Sequence, residues 1–428
     1  MWKQIQQLFS KDSRSGQSLI EVIVGLAIGA ILMGASAFAI AGMIQTNNTS
    51  QKWRSATALA QGLLTNTRAY GTVNWQNLYG LSKGSGSDYF LNASGTTYNV
   101  ILGKEGMLDN DVTSGLVGEW KFDEDIGTTS TLTYDATGNG DDGTLVSSPT
   151  RATSTCKIAN CLVFNGSNYV SIPNSTTLEL RNAISIAAWV NPAISTTSTQ
   201  LAIAGKSSEA ILALSYGQSR FTVWAGAGGY SQAMGGTVLP ANMWYHIVGT
   251  FDGSQIKIYE NGVLKNTTSY SASIADTTNA PYIGTAGGYQ FFSGPIDDVR
   301  IYNRALSAYE VGQLYNSNIF RRYFYVENTC RTNDASSSIS GVSPCAVGSA
   351  DDPSTQKISA ITEWTTPTGA NPQVLLSDYV TRWKNSVFQQ NDWSGGPNAS
   401  GVVTNPTNLF SSSSGINFSG KSLRIQGL

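Results

Sequence analysis

Histidine is almost missing from this chain: one occurs in 428 residues. That excludes a metal centre built on several imidazoles. Charge is scarce as well, at 13% of residues with a formal net of -2, and no basic run occurs beyond the N-terminal segment. Without a basic patch a chain has little with which to hold a phosphate backbone, which argues against nucleic acid as a partner. Cysteine is limited to four residues in two local pairs, Cys156 with Cys161 and Cys330 with Cys345. An even number at short spacings favours disulfides over free thiols in an exported protein, although four cysteines allow three connectivities. Abundant instead are glycine, at 44 residues, with serine, threonine and asparagine, as in many extracellular β-rich proteins. A length of 428 residues implies two or three domains.

The one long apolar run extends over residues 19–44, broken only by Glu21 and Ser36. As a helix it is about 39 Å long, enough to cross a bilayer core of roughly 30 Å. Lys3, Lys11 and Arg14 precede it against a single acid, Asp12, which holds that end in the cytoplasm and sends the C-terminus outside. A secretory signal would be shorter and would place its small-residue cleavage site after the apolar stretch. Here the small residue, Gly16, comes first.

Gly16 followed by Gln-Ser-Leu-Ile-Glu resembles the prepilin signature of type IV pilins and pseudopilins. The resemblance implies cleavage after Gly16 by a prepilin peptidase, a mature and usually N-methylated residue at Gln17, and an assembly glutamate at Glu21. Gln17 departs from the family's usual phenylalanine. Glu21 also has a physical reading, because a carboxylate in a spanning helix persists where it finds a partner. In a filament that partner would be a neighbouring subunit's N-terminal amine; the alternative is a glutamate that reaches interfacial water. Past the membrane, Trp53, Ala56, Leu59, Ala60, Leu63 and Leu64 recur at helical spacing and form one apolar stripe that needs a cover. In pilins that cover is a small antiparallel sheet.

Strand-like text supplies such a sheet in pieces. Residues 97–102 alternate, then 320–328, and residues 357–365 with 373–383 read as a hairpin around Pro367-Thr368-Gly369. The tyrosine-rich strand, the Asp352-Pro353 turn and the Thr381–Asn385 segment look like the back half of pseudopilin-like proteins. The expected organisation is therefore a leader at 1–16, a helix at 17–69 with its span at 19–44, a pilin-like β domain split over 70–114 and 319–385, an inserted block at 115–318, and a Gly/Ser/Asn-rich tail at 386–428. A tandem order with an independent last domain is the competing topology.

Within the inserted block, short alternating runs separated by turn signals argue an antiparallel β-sandwich, and Asn261-Gly262 reads as a hairpin turn. The phrases 135–144, 164–166, 184–190, 244–253, 259–262 and 294–306 resemble the laminin G-like, concanavalin A-like jelly-roll family. In that family the first and last strands are neighbours, so an inserted copy can leave where it entered. The fold class expected overall is mainly β: a long N-terminal transmembrane helix, a small pilin-like α+β domain and an inserted jelly roll.

Catalysis is not expected. Glycoside hydrolysis needs two carboxyl groups about 5 to 10 Å apart across the sugar bond. Glu119 and Asp123 come nearest but lack the spacing of the related glucanases, and they read as edging a loop. The sole histidine, His246, falls in the family's Trp-x-His strand and reads as structural, which leaves no base for a Ser/His/Asp triad. By the resemblance, Asp135, Asn139 and Asp297 are candidates for a structural calcium ion, against solvated turn residues. Trp224, Tyr230, Tyr289 and Phe291, beside glycine-rich loops, are candidate ligand-binding aromatics, although aromatics in sandwiches are more often core.

The reading these features support is a minor pilin or pseudopilin that begins in the bacterial cytoplasmic membrane, assembles with other pilin subunits, and displays the sandwich at the cell surface or on a pilus for adhesion to a glycan or surface protein. A purely structural subunit and a glycan-degrading enzyme are the alternatives.

Overall fold

The computed structural model describes residues 19–125, 130–194, 198–226, 229–332, 338–347, 349–366, 368–382, 416–417 and 424–425. Gly16, Gln17 and nearly all of the tail at 386–428 lie outside the described residues. The chain divides into two units, Met1–Arg54 and Ser55–Leu428.

One helix, Leu19–Val73, runs through the unit boundary and continues four residues beyond the expected end at residue 69. In the first unit its apolar side chains are bare, with Phe38 84% and Leu26 69% exposed. By length and composition this helix can cross a membrane. Its hydroxyls are satisfied internally: Ser36 donates to the Leu32 carbonyl at 2.7 Å and Thr46 to that of Gly42 at 2.9 Å. Such back-bonding keeps a polar side chain paired in hydrocarbon.

In the second unit the same helix buries Ala56, Ala60, Leu63, Leu64 and Thr67. Trp53, which belongs to the first unit, is 44% exposed. Leu63 and Leu64 pack with Tyr89, Leu91, Phe324, Val326, Ile358, Ala360 and Val380. Near its end the helix needs Gly71, because a Cβ there would sit 2.2 Å from Cδ1 of Leu78. The cover is an antiparallel sheet in the order Thr97–Leu102, Tyr89–Ser94, Ile319–Arg331, Ala350–Glu363, Gln373–Thr381, with Glu105–Leu108 and Ile339–Val342 also paired to the central strand. Strands 89–94 and 105–108 carry no clear alternation, since most of their residues are buried on both sides. Asp352-Pro353 lies inside strand Ala350–Glu363 rather than in a turn. The register shifts there, between Asn328 and Thr329 opposite, and an irregular ladder can accommodate a residue with no N–H. Cys330 is joined to Cys345 across this edge, and Cys156 to Cys161 in the block between.

Residues 116–302 build two further antiparallel sheets packed face to face. One runs Val263–Ser269, Gln255–Glu260, Tyr245–Phe251, Ile184–Val190, Ser293–Tyr302, Cys161–Asn165, Thr150–Ala152, with Leu116–Trp120 also paired to Ser293–Tyr302. The other runs Tyr230–Met234, Gln218–Trp224, Ala210–Ser215, Gln200–Lys206, Pro281–Ile283, Tyr169–Ser171, Gly143–Val146, Leu132–Thr133. Between them lies a core that includes Trp120, Phe164, Phe221, Phe251, Phe292 and Ile301. The sheets approach closely at Gly249, where a Cβ would meet the Phe221 ring at 2.1 Å. The Asn261-Gly262 hairpin has both residues at positive φ, 50° and 77°, as a tight turn between twisted strands requires.

The strands at the two ends of the sandwich are neighbours: Val299 faces Trp120 and Ile301 faces Gly118. Just outside them Leu108 faces Ile319, so the sheet under the helix draws strands from both sides of the sandwich in sequence.

The two outer faces of the sandwich differ. On the first sheet, helix Ala308–Asn316, started by a Ser307/Glu310 capping box, lays Val311 and Leu314 over Trp189, Val248, Tyr259 and Tyr302. The outer face of the second sheet has no such helix among the described residues.

Candidate functional site

The outward positions of the open sheet follow from its register. In strand Gln218–Trp224, Phe221 and Val223 point into the core, so Arg220, Thr222 and Trp224 point out. Their cross-strand partners are Met234, Gln232 and Tyr230 on one side, with Ala213 and Ile211 opposite Arg220 and Thr222 on the other. The Trp224 and Tyr230 rings lie 5.9 Å apart with planes 36° from parallel, and Tyr230 is 62% exposed. Beneath Trp224, Ala202, Ile211, Ala213 and Ala286 form a small apolar floor. Small residues there leave room for the indole to lie along the sheet.

A loop at 284–292 makes the next wall. It is held by Gly284 N donating to Ile203 O at 2.8 Å, Ala202 N to Gln290 O at 2.7 Å and Phe292 N to Gly284 O at 2.8 Å. Tyr289 projects from it, half exposed, with its hydroxyl 3.1 Å from Ser207 Oγ. Phe291 packs against Tyr169 at 6.1 Å, and Tyr169 against Tyr282 at 5.7 Å. Of the four aromatics singled out in the sequence, Trp224 and Tyr230 are direct partners on neighbouring strands, whereas Tyr289 and Phe291 lie in the 284–292 loop.

Sequence reading missed the polar centre of this face. Arg220 is 9% exposed, and its Nη1 donates to Gln200 Oε1 at 2.9 Å while Nη2 reaches Gln290 Oε1 at 3.4 Å. Gln290 Nε2 in turn donates to Gln200 Oε1 at 2.7 Å. Gln290 holds φ at 56°, a left-handed conformation that a non-glycine residue adopts at a cost of about 1 kcal/mol or more. The signal in the sequence was an arginine alternating with Phe221 and Val223; its partners come from strand Gln200–Lys206, 20 residues away, and from the 284–292 loop, 70 residues away.

The residues expected to hold calcium are bonded largely within the protein, while Asp297 Oδ1 is buried and finds no hydrogen-bond partner among the described residues. Asp135 Oδ1 already accepts from Glu119 N at 3.1 Å and Thr137 N at 3.0 Å, and Thr137 Oγ1 lies 2.7 Å from its Oδ2. Asp297 Oδ2 accepts from Lys157 N and Ile158 N at 3.0 and 2.8 Å. Asn139 is exposed and donates to Val117 O at 2.9 Å. Among the described residues no group of three or more His, Cys, Asp or Glu side chains is gathered as for a metal.

Nor do Glu119 and Asp123 edge an open loop. Glu119 sits buried in strand Leu116–Trp120 with Oε1 2.8 Å from Arg300 Nη2, and burial, with Asp111 and Asp298 nearby, pushes its carboxyl up to about 7. Asp123 is buried too, accepting from Gly106 N at 2.6 Å and Asn160 N at 3.1 Å. His246 is buried between Trp189 and Tyr315, and desolvation, aided by Arg300 and Lys157, lowers its pKa to about 3. A cavity of about 20 Å³ between the sheets, lined by Leu178, Ile186, Ala210 and Ile274 among others, has room for one water and nothing larger.

Comparison with known proteins agrees with this architecture. Residues 11–37 match the model for the prokaryotic N-terminal methylation motif, and residues 164–312 match that for the concanavalin A-like lectin/glucanases superfamily. None of the curated proteins compared matches the chain. Solved structures resembling it include domain 4 of AbnA, a GH43 extracellular arabinanase from Geobacillus stearothermophilus in complex with arabinotriose, at 23% identity and a TM-score of 0.38 over 47% of this chain and 98% of that one. The binding domain of Paraclostridial Mosquitocidal Protein 1 aligns at 12% identity and a TM-score of 0.40 over 59% and 72% of the two chains. Trypanosoma rangeli sialidase aligns at 19% and 0.36 over 48% and 33%. The methylation motif implies assembly with other pilins and processing by prepilin peptidase, and with the apolar helix it supports membrane anchoring and surface exposure. The chain thus carries a type IV pilin motif at residues 11–37 and a concanavalin A-like lectin/glucanase-type domain at residues 164–312, a pairing that points to a surface-displayed binding domain.

Proposed function

We propose that this protein is a minor pilin or pseudopilin that carries its sandwich, residues 115–318, on a host domain split over 70–114 and 319–385, and binds a glycan or surface protein through the sandwich's open outer face. The carrying observation is the Trp224–Tyr230 pair, a half-buried indole beside an exposed phenol, on a sheet face whose counterpart across the sandwich is covered by a helix. Aromatic rings joined to hydrogen-bonding amides suit a sugar, which offers both C–H faces and hydroxyls.

In this reading the peptidase cuts after Gly16, Gln17 becomes the mature N-terminus, Glu21 pairs with a neighbouring subunit's amine, and the C-terminal domains face outward. The protein works without turnover. Its buried Glu119 and Asp123 are engaged with Arg300 and with backbone amides, so they do not offer two carboxyl groups to a bound sugar.

The test is a glycan array with the full chain in detergent, alongside attachment of sheared surface filaments to host and microbial cells. Signal on either supports the reading, and silence on both overturns it. The purely structural alternative requires filament entry to survive deletion of 115–318 with attachment unchanged.

A further inference from the structure

Arg220 differs from the other buried arginines in what neutralises it. Arg151 lies 2.5 Å from Glu124, Arg300 2.8 Å from Glu119 and 2.9 Å from Asp298, and Arg331 2.7 Å from Asp352, all with side chains 6% exposed or less. Arg220 has no ion pair among the described residues. The titratable side chains acting on it are the phenols of Tyr230, Tyr216 and Tyr289 rather than carboxylates, and burial works against its charge. Its Nε is buried and finds no hydrogen-bond partner among the described residues. A guanidinium has five N–H donors in a planar fork, and the bonds described use one at 2.9 Å and one at 3.4 Å, to amide oxygens rather than carboxylates. A buried cation without a counter-charge is costly, and it is relieved by an anion brought to it.

From this geometry we infer that the open face recognises acidic saccharides, with a ligand carboxylate engaging Arg220 while the sugar rings lie toward Trp224 and Tyr230. The inference rests on the glycan-binding reading and names its substrate class: uronate-type sugars. Gln290 supplies the opening. Its 3.4 Å contact is the weaker of the two bonds to Arg220, so this is the amide that a ligand carboxylate oxygen replaces. Gln200, which accepts from both Arg220 and Gln290, holds the guanidinium in orientation. A neutral sugar leaves the buried charge as it was.

The experiment is calorimetric titration of the full chain in detergent with trigalacturonate, its fully methyl-esterified form, and neutral trigalactose. The expected result is measurable binding of trigalacturonate, weakened about tenfold or more by esterification, since a hydrogen bond to a charged group carries that much. Arg220→Gln should abolish the difference between acid and ester, and Arg220→Lys should restore part of it. Because Arg220→Gln removes an uncompensated buried charge, its melting temperature should match or exceed that of the parent, which separates loss of binding from loss of fold. Equal binding of all three sugars, unchanged in Arg220→Gln, overturns the inference and leaves glycan binding standing. If none of the three binds, the inference falls; the array then decides the broader reading by itself.

Discussion

Lys121 Nζ lies 2.8 Å from Glu105 Oε1 and so ties the end of the sandwich's first strand to the sheet under the long helix. Glu105 Oε2 accepts from Arg322 Nε of that sheet at 2.6 Å, so one buried carboxylate is shared by cations from both parts. Burial works to raise the Glu105 pKa, but Arg322 and Lys121 outweigh it and hold the group at about 2. Its folded pKa is depressed, so its contribution is complete above the ordinary carboxylate range and is lost as pH falls toward 2. Glu105→Gln strands two partly buried cations around a buried site, and the expected cost is about 3 kcal/mol. Denaturant unfolding at pH 7 measures it; a loss under about 1 kcal/mol would show the bridge to be incidental.

His246 and Glu119 give opposite dependences on pH. His246 is held neutral, far below the ordinary 6.5, so the stability it confers is complete above pH 6.5 and drains as pH falls toward 3. Glu119 is raised from 4.5 to about 7, so its ionisation destabilises the fold as pH rises through that window. The two slopes oppose each other between pH 4.5 and 6.5. Glu119→Gln removes one, and the variant's melting temperature should climb more steeply with pH over that range than the parent's. Superimposable profiles would refute the assignment.

Trp224→Ala and Tyr230→Ala should each weaken saccharide binding by about tenfold, as truncating a central aromatic anchor does. Both rings lie outside the core between the sheets, so melting temperatures should move by only a few degrees. Binding that survives the double substitution would move the site off this face.

Chelation tests the calcium expectation. Backbone amides and Thr137 already occupy the oxygens of Asp135. Calcium and EDTA should therefore leave the melting temperature unchanged. A calcium-dependent rise of several degrees would require those loops to rearrange.

Glu21→Ala separates processing from assembly. N-terminal sequencing should still find Gln17 first, while sheared filaments should lack the variant. Normal incorporation would remove Glu21 from the assembly contact.

Much of this protein was written locally. The Gly16-to-Glu21 spacing, the apolar run after it and the stripe from Ala56 to Leu64 are near-neighbour patterns, and a helix turns such patterns directly into a face. The sandwich was legible through its turns and alternations, among them Asn261-Gly262 and residues 184–190. Strands 89–94 and 105–108 were not, because burial on both sides erases alternation. Nor was the work given to the charged residues. Which carboxylate meets Arg300, which cations share Glu105, and that Arg220 meets none depend on segments up to 217 residues apart closing on one another. Sequence determined the elements and their buried faces through periodicity. Only the tertiary structure decided which sheet face stays open and which buried charge is left without a partner, because both depend on what packs alongside rather than on what lies next along the chain.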